Sequence, residues 1–305
     1  MNGTERAAWL ASRRKGVGGS DVAGILGLSP WSTPYDVWHS KVADRTGDTP
    51  SEPMRWGTIL EPVVLDEYDR VHGTTVERGL PIAVHPDHEW VIGSVDAIDR
   101  TNNRIVEAKT VGQFTAHQWD NDTIPPHYRL QAHWYMGVTG IGHTTIAALF
   151  SGSDYREFEL SADPHLFAEL VEHVGAWWEK HVVGGVAPEV SAKDLPLLAE
   201  FHAGMDDIAV LDPGVRDLVD GLVDAKARAK EAKAEADEYQ ARLVAALAGS
   251  DAGLIRGEQA PAFTYRASVR RGIDAKRFRA EHPDLAAEYA TETTVRTLRV
   301  NKGVI

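Results

Sequence analysis

The chain has 305 residues, 32 Lys and Arg against 45 Asp and Glu, a formal net charge of −13 and no cysteine. That length holds one large domain or a core with an appendage, and the acidic balance argues against a general nucleic-acid coat while leaving room for a cleft of different local charge. Without thiols there are no disulfides, thiolate zinc sites or iron–sulfur clusters, which fits a cytoplasmic protein; no apolar run of about 18 residues predicts a membrane span, and the first residues lack a signal-peptide core.

In chain order, RRKGVGGSDVAGILGLSPW combines basic residues, a glycine turn and Ser20-Asp21 at a helix start. Free amides at such a start bind phosphate, and a Ser-Asp pair there also serves as a plain cap. Thr33 followed by Pro34 reads as an N-cap and first helical residue. A second helix is expected from Thr58 to His72, stopped by Gly73, with Pro62 limiting how far upstream it begins. Strands are expected at Thr75–Val84, Trp90–Ile98 and Arg104–Thr110. PPHYRLQAHWYMGV reads as a helix, His143–Phe150 as a strand, Tyr155–Leu160 as its hairpin partner and Pro164–Lys180 as a helix. The order predicts an α/β fold with a central sheet flanked by helices.

All nine tryptophans lie at or before Trp178, and from about 190 the chain turns to Ala, Leu and charged residues. This places a boundary near 184–196, between a first domain of residues 1–185 and a helical C-terminal extension of residues 190–305. From Leu218 to Ala246 apolar residues alternate spacings of four and three, a heptad stripe mostly of alanine. It suits a long helix lying on its own protein or on a neighbouring subunit. Between Tyr265 and Arg279, Arg266, Arg270, Arg271, Lys276, Arg277 and Arg279 face only Asp274. This basic island either contacts phosphates or balances acidic helices.

RIVEAKT carries the chemistry. Residues two apart on a strand share a face, so Glu107 and Lys109 project together while Val106 and Ala108 turn away. A hairpin about Thr101-Asn102 sets Ile98 opposite Ile105, Asp96 opposite Glu107 and Ser94 opposite Lys109. Two opposed carboxylates destabilise a sheet unless they share a proton or hold a cation. Oxygen ligands without His or Cys favour Mg²⁺ or Mn²⁺, and Lys109 would then orient a water or steady charge on phosphate. A hairpin with an ordinary solvated face is the alternative. Glu61, on the preceding helix, is a possible third carboxylate; Gln131 and Tyr135, one turn apart on the following helix, share a face.

Taken together, GVGGSDVAGILGLSPWSTPYDVW, RWGTILEP, GSVDAI, VEAKT and QAHWY with MGVTG, over roughly residues 10 to 180, resemble the YqaJ-like, lambda-type phage exonucleases of the PD-(D/E)xK nuclease superfamily. The resemblance implies a restriction-endonuclease-like core. It implies that Asp96, Glu107, Glu61 and the Ala108 carbonyl hold two Mg²⁺ or Mn²⁺ ions, and that Lys109 positions the attacking water. Gln131 and Tyr135 would place DNA near the metals; Ser94, and Ser20 with Arg13 or Arg14, would hold the 5′ end and its phosphate. It further implies 5′-to-3′ digestion of linear duplex DNA, a single-strand annealing partner and a ring-shaped homotrimer. A PD-(D/E)xK endonuclease of another specificity, or a catalytically inactive DNA-binding module, are the rival readings; cysteine-dependent Cas4-like nucleases are excluded.

Overall fold

The computed structural model describes residues 11–43, 51–201, 208–269, 271–291 and 298–300; Arg270 of the basic island, like residues 1–10, lies outside them. Two compact units, Met1–Ala203 and Gly204–Ile305, make up the chain.

In the first unit a five-stranded mixed sheet has the order β1-β4-β5-β6-β7. Its strands are β1 (Glu77–Arg78), β4 (Ala97–Asp99), β5 (Arg104–Val111), β6 (His143–Phe150) and β7 (Asp154–Ser161). Only the β5–β6 pair is parallel, and its crossover is the helix α4 (Pro126–Thr139). Ile98 pairs with Ile105, as the hairpin about residues 101–102 predicts. Ile98 and Ile105 face a core shared with α1 (Gly19–Ile25), α4 and α5 (Pro164–Trp177), while Ala97, Val106 and Ala147 face Val64, Leu65 and Tyr68 of α3 (Glu52–His72). The sheet is thus sandwiched between α3 and the other helices.

Three expected elements differ. The strand predicted over residues 90–98 divides into β3 (His88–Gly93) and β4, with residues 94–96 between them. The cause is Val17, whose N–H donates to the Trp90 carbonyl (2.7 Å) and whose carbonyl accepts from Ile92 (3.0 Å). These bonds hold β3, with β2 (Ala83–His85), apart from the main sheet. Val95 consequently packs with Ile98 rather than on the face of Ala97. The strand predicted over residues 75–84 divides likewise, at Gly79 with φ +66° and at Pro81, which has no N–H to give a ladder. Helix α3 begins at Glu52, capped by Ser51, and passes through Pro62. The proline faces solvent, where water can satisfy the carbonyl it leaves unpaired.

Thr33 caps α2 (Pro34–Val42) by accepting from the Asp36 N–H (3.0 Å), and its hydroxyl donates to the buried Asp194 (2.5 Å). Asp194 precedes α6 (Leu195–Phe201), so residues up to 201 pack on the first unit and the division falls later than the composition change. In the second unit α7 (Val215–Ala246) runs 32 residues with none buried; Leu218 of the heptad stripe is exposed. Arg277 of the basic island pairs with Glu281 (2.8 Å). No helix among the described residues is long and apolar enough to cross a membrane.

Trp134 ties the layers together. It is fully buried, and its Nε1–H lies 2.9 Å from the Ile92 carbonyl and 3.2 Å from that of Val17. Trp134→Ala leaves a cavity and removes the indole N–H that bonds the Ile92 and Val17 carbonyls, so a loss of about 3–5 kcal/mol is expected in denaturant unfolding.

Candidate active site

A cleft of about 840 Å³ opens beside the end of β5, lined by Glu61, Asp96, Ala108, Lys109 and Gln131 among others. A smaller cavity of about 210 Å³ is lined by Arg13, Ser20, Ser94, Asp96, Glu107, Lys109, Gln131 and Tyr135. Every candidate metal, catalytic or DNA-binding residue of the sequence analysis therefore lines one or both, except Arg14, which is half-buried in the turn before Val17 and lines neither.

Glu107 is buried at the sheet face toward α4. Its Oε1 accepts from Lys109 Nζ (2.5 Å) and from Gln131 Nε2 (2.6 Å). Its Oε2 is buried with no hydrogen-bond partner. Asp96, just beyond the paired part of β4, accepts from the Ala108 N–H through Oδ2 (2.9 Å), so the amide of Ala108 is engaged by an acid. Gln131 Nε2 also reaches Tyr135 Oη (3.2 Å).

The electrostatics follow from crowding. Burial first, and then the neighbouring Asp96 charge, push the Glu107 carboxyl well above the ordinary range, against the pull of Lys109. Burial also raises Asp96, with Lys109 and the Ala108 N–H opposing. Glu61, half-buried on α3, is raised by burial and by Asp96. Burial would lower Lys109, but the Glu107 and Asp96 carboxylates outweigh it and hold the amine protonated. Burial and the same acids raise Tyr135.

Among the described residues, no three His, Cys, Asp or Glu side chains converge closely enough to hold a metal. Repelling carboxylates are drawn to separate donors, Asp96 to an amide and Glu107 to Lys109 and Gln131. The donor set still suits a hard cation: it is all oxygen, and an unpartnered buried carboxylate oxygen is costly without a counter-ion.

The N-terminal segment reaches the cleft by close approach. A Cβ on Gly16 would stand 2.4 Å from the Trp90 carbonyl oxygen, and one on Gly19 would stand 2.7 Å from the Tyr135 ring and 3.0 Å from the Gln131 carbonyl. Arg13 donates to Ser20 Oγ (2.7 Å) and pairs with Asp21 (3.0 Å). Asp21 also pairs with the buried Lys41 (2.7 Å) and accepts from the Gly18 N–H (2.9 Å). Burial would raise Asp21, yet Lys41 and Arg13 hold it below the ordinary range. The cap residue is Gly18, with Ser20 and Asp21 inside the first turn, and Asp21 reaches back to accept from the Gly18 N–H. Arg13 and Ser20 remain at the cleft as side chains.

Sequence reading missed Lys41, His127, Tyr128 and Trp31. His127 and Tyr128 lie four and three residues before Gln131, a spacing that puts them on its helical face and would have found them. Lys109 Nζ sits 5.3 Å from the Tyr128 ring centre. Burial, aided by Lys109, lowers His127 to about 4, so its ring is neutral near pH 7. Trp31 and Lys41 gave no periodic signal, because their positions depend on how α1 and α2 pack.

Several known proteins are similar to this chain. Residues 8–142 match the YqaJ-like viral recombinase domain, a shorter span than the motifs suggest. The chain is 28% identical over 308 residues to the uncharacterized protein YqaJ of Bacillus subtilis (strain 168), covering 97% of this chain and 94% of that protein. Over 69 residues it is 39% identical to Protein D345L of African swine fever virus (isolate Tick/Malawi/Lil 20-1/1983), 23% of this chain and 20% of the other. Among solved structures, the alkaline exonuclease LHK-Exo of Laribacter hongkongensis superposes with a TM-score of 0.49 at 20% identity, over 57% of this chain and 91% of that one. A phage related exonuclease from Haemophilus somnus 129PT gives 0.43 at 11% identity, over 56% and 96%.

The raised carboxyls make a linked prediction. Acids raised in the fold cost stability as pH climbs from the ordinary carboxylate range through their raised values, and a bound cation offsets that cost. The rise in Tm given by saturating Mn²⁺ should therefore be larger at about pH 8.5 than at about pH 6 in a thermal melt. An equal or smaller rise at the higher pH would count against cation binding here. Gly19→Ala should push α1 from Tyr135 and Gln131, lowering this cation response as well as Tm.

Proposed function

With residues 8–142 a YqaJ-like viral recombinase domain, we propose that this chain is a divalent-metal-dependent deoxyribonuclease, an exonuclease that digests linear duplex DNA 5′ to 3′ and leaves 3′ single strands. The observation that carries the reading is the crowding of Asp96 and Glu107 around a buried, unpartnered carboxylate oxygen beside protonated Lys109, at the smaller cavity.

In this reading Asp96, Glu107, Glu61 and the Ala108 carbonyl hold Mg²⁺ or Mn²⁺, two ions in all. Bound there, such ions lower the pKa of water and neutralise charge on a phosphodiester. The chain's own groups do the rest. Lys109, held charged, orients the attacking water and meets negative charge as it grows on the phosphate. Gln131 fixes Glu107 and steers the backbone of the strand, and Tyr135 supports Gln131. Arg13, Ser20 and Ser94 line the smaller cavity and take the 5′ phosphate, with Arg13 pre-set by Asp21. Enclosure of the duplex by a homotrimer and hand-over to a single-strand annealing protein complete the proposal.

The test is Mg²⁺-dependent digestion of a 5′-phosphorylated linear duplex beside the same DNA as a closed circle. Wild type should degrade the linear form and spare the circle; cutting of the circle would favour the endonuclease reading. Asp96→Ala should lose about a hundredfold or more in rate, the scale of a lost catalytic metal ligand. Lys109→Ala should keep the Mn²⁺-dependent rise in Tm yet hydrolyse slowly. Robust cutting by Asp96→Ala would retire the site.

A further inference from the structure

Trp31 sits in the loop between α1 and α2, on the wall of the large cleft, and is 67% exposed. The loop is pinned: the buried Ser29 accepts through Oγ from the N–H groups of Trp31 (3.2 Å) and Ser32 (3.1 Å). The indole meets His127 edge-on, with ring centres 4.8 Å apart at 85°, and lies 6.0 Å from the Tyr128 ring. His127 and Tyr128 are themselves 4.1 Å apart, and Tyr128 lies under Lys109. Aromatic rings therefore run without a break from the lysine to the rim of the cleft. An anchored tryptophan with most of its surface open, in a cleft that ends at acids and a lysine, suits a flat aromatic ligand tethered to a phosphate.

We propose that Trp31, backed by His127 and Tyr128, is a stacking wall for the unpaired base of the terminal nucleotide, whose phosphodiester lies at Asp96 and Glu107. The inference rests on the nuclease reading above and adds a base-binding element to it. Every nucleobase offers a π-face, so the wall grips without reading sequence. It rewards fraying of the duplex end, because only an unstacked base presents that face.

Steady-state rates on a 5′-phosphorylated linear duplex with Mg²⁺ compare wild type with Trp31→Ala, Trp31→Phe and Trp31→Leu. The alanine variant should raise KM about tenfold or more, from the worth of one lost stacking contact, and keep kcat within about threefold. Phenylalanine should restore most of the loss; leucine should not. A substrate whose terminal nucleotide is abasic should raise the wild-type KM by a similar factor and leave Trp31→Ala unaffected. Unchanged KM in Trp31→Ala, equal rescue by Leu and Phe, or additive effects of abasic site and alanine would each overturn the wall. If the alanine variant does not fold, the abasic comparison on wild type decides. A wild type that cuts nothing refutes the nuclease reading instead.

Discussion

The site depends on the cost of placing Asp96 and Glu107 at the junction of two neighbouring strands. Like charges so placed oppose folding, and burial raises that cost. The structure offsets it with Lys109 on the same strand face, Gln131 from the crossover helix and the Ala108 amide. Each donor comes from an element whose position the sheet sets. Removing one partner of a buried ion pair commonly costs about 3–5 kcal/mol, so Lys109 bears on stability as well as chemistry. A group of this kind is stable only while its charges balance.

The N-terminal segment solves a second problem, that of bringing a cation to the opposite wall. Arg13 is held by Asp21, and Asp21 by Lys41 from α2. The three form a network in which the arginine is anchored by one carboxylate and keeps its place at the cleft. Gly16 and Gly19 let this segment lie against β3 and α4 at distances a side chain would forbid.

Much of this was legible in the sequence because it rests on local rules. The hairpin fixed the pairing of Ile98 with Ile105. The ladder stops at Ala97 and Val106, so the expected pairs of Asp96 with Glu107 and Ser94 with Lys109 are not made, and Asp96 meets the Ala108 N–H instead. Thr33-Pro34 and Gly73 marked their helix ends where the structure has them. What escaped was set by tertiary contacts. The run from Trp90 to Ile98 is largely apolar, and nothing local says that Val17 will claim the first half. Pro62 argued for a late helix start, but a proline on the solvent side interrupts little. The composition change near 190 marks where tryptophans cease, whereas packing continues through Asp194 and Leu197. Tyr128 and His127 were readable from their spacing to Gln131; Trp31 was not, since a loop residue has no period.

The bond between Thr33 and Asp194 joins the start of α2 to a segment 161 positions later. Thr33 also caps the helix that carries Lys41, so the far end of the core reaches, through one hydroxyl, the base of the network behind Arg13. A fragment trimmed where tryptophans run out would keep every acid and the lysine and still lose this clasp. Engineering that swaps the C-terminal unit should therefore place its seam beyond residue 201, where the clasp is kept.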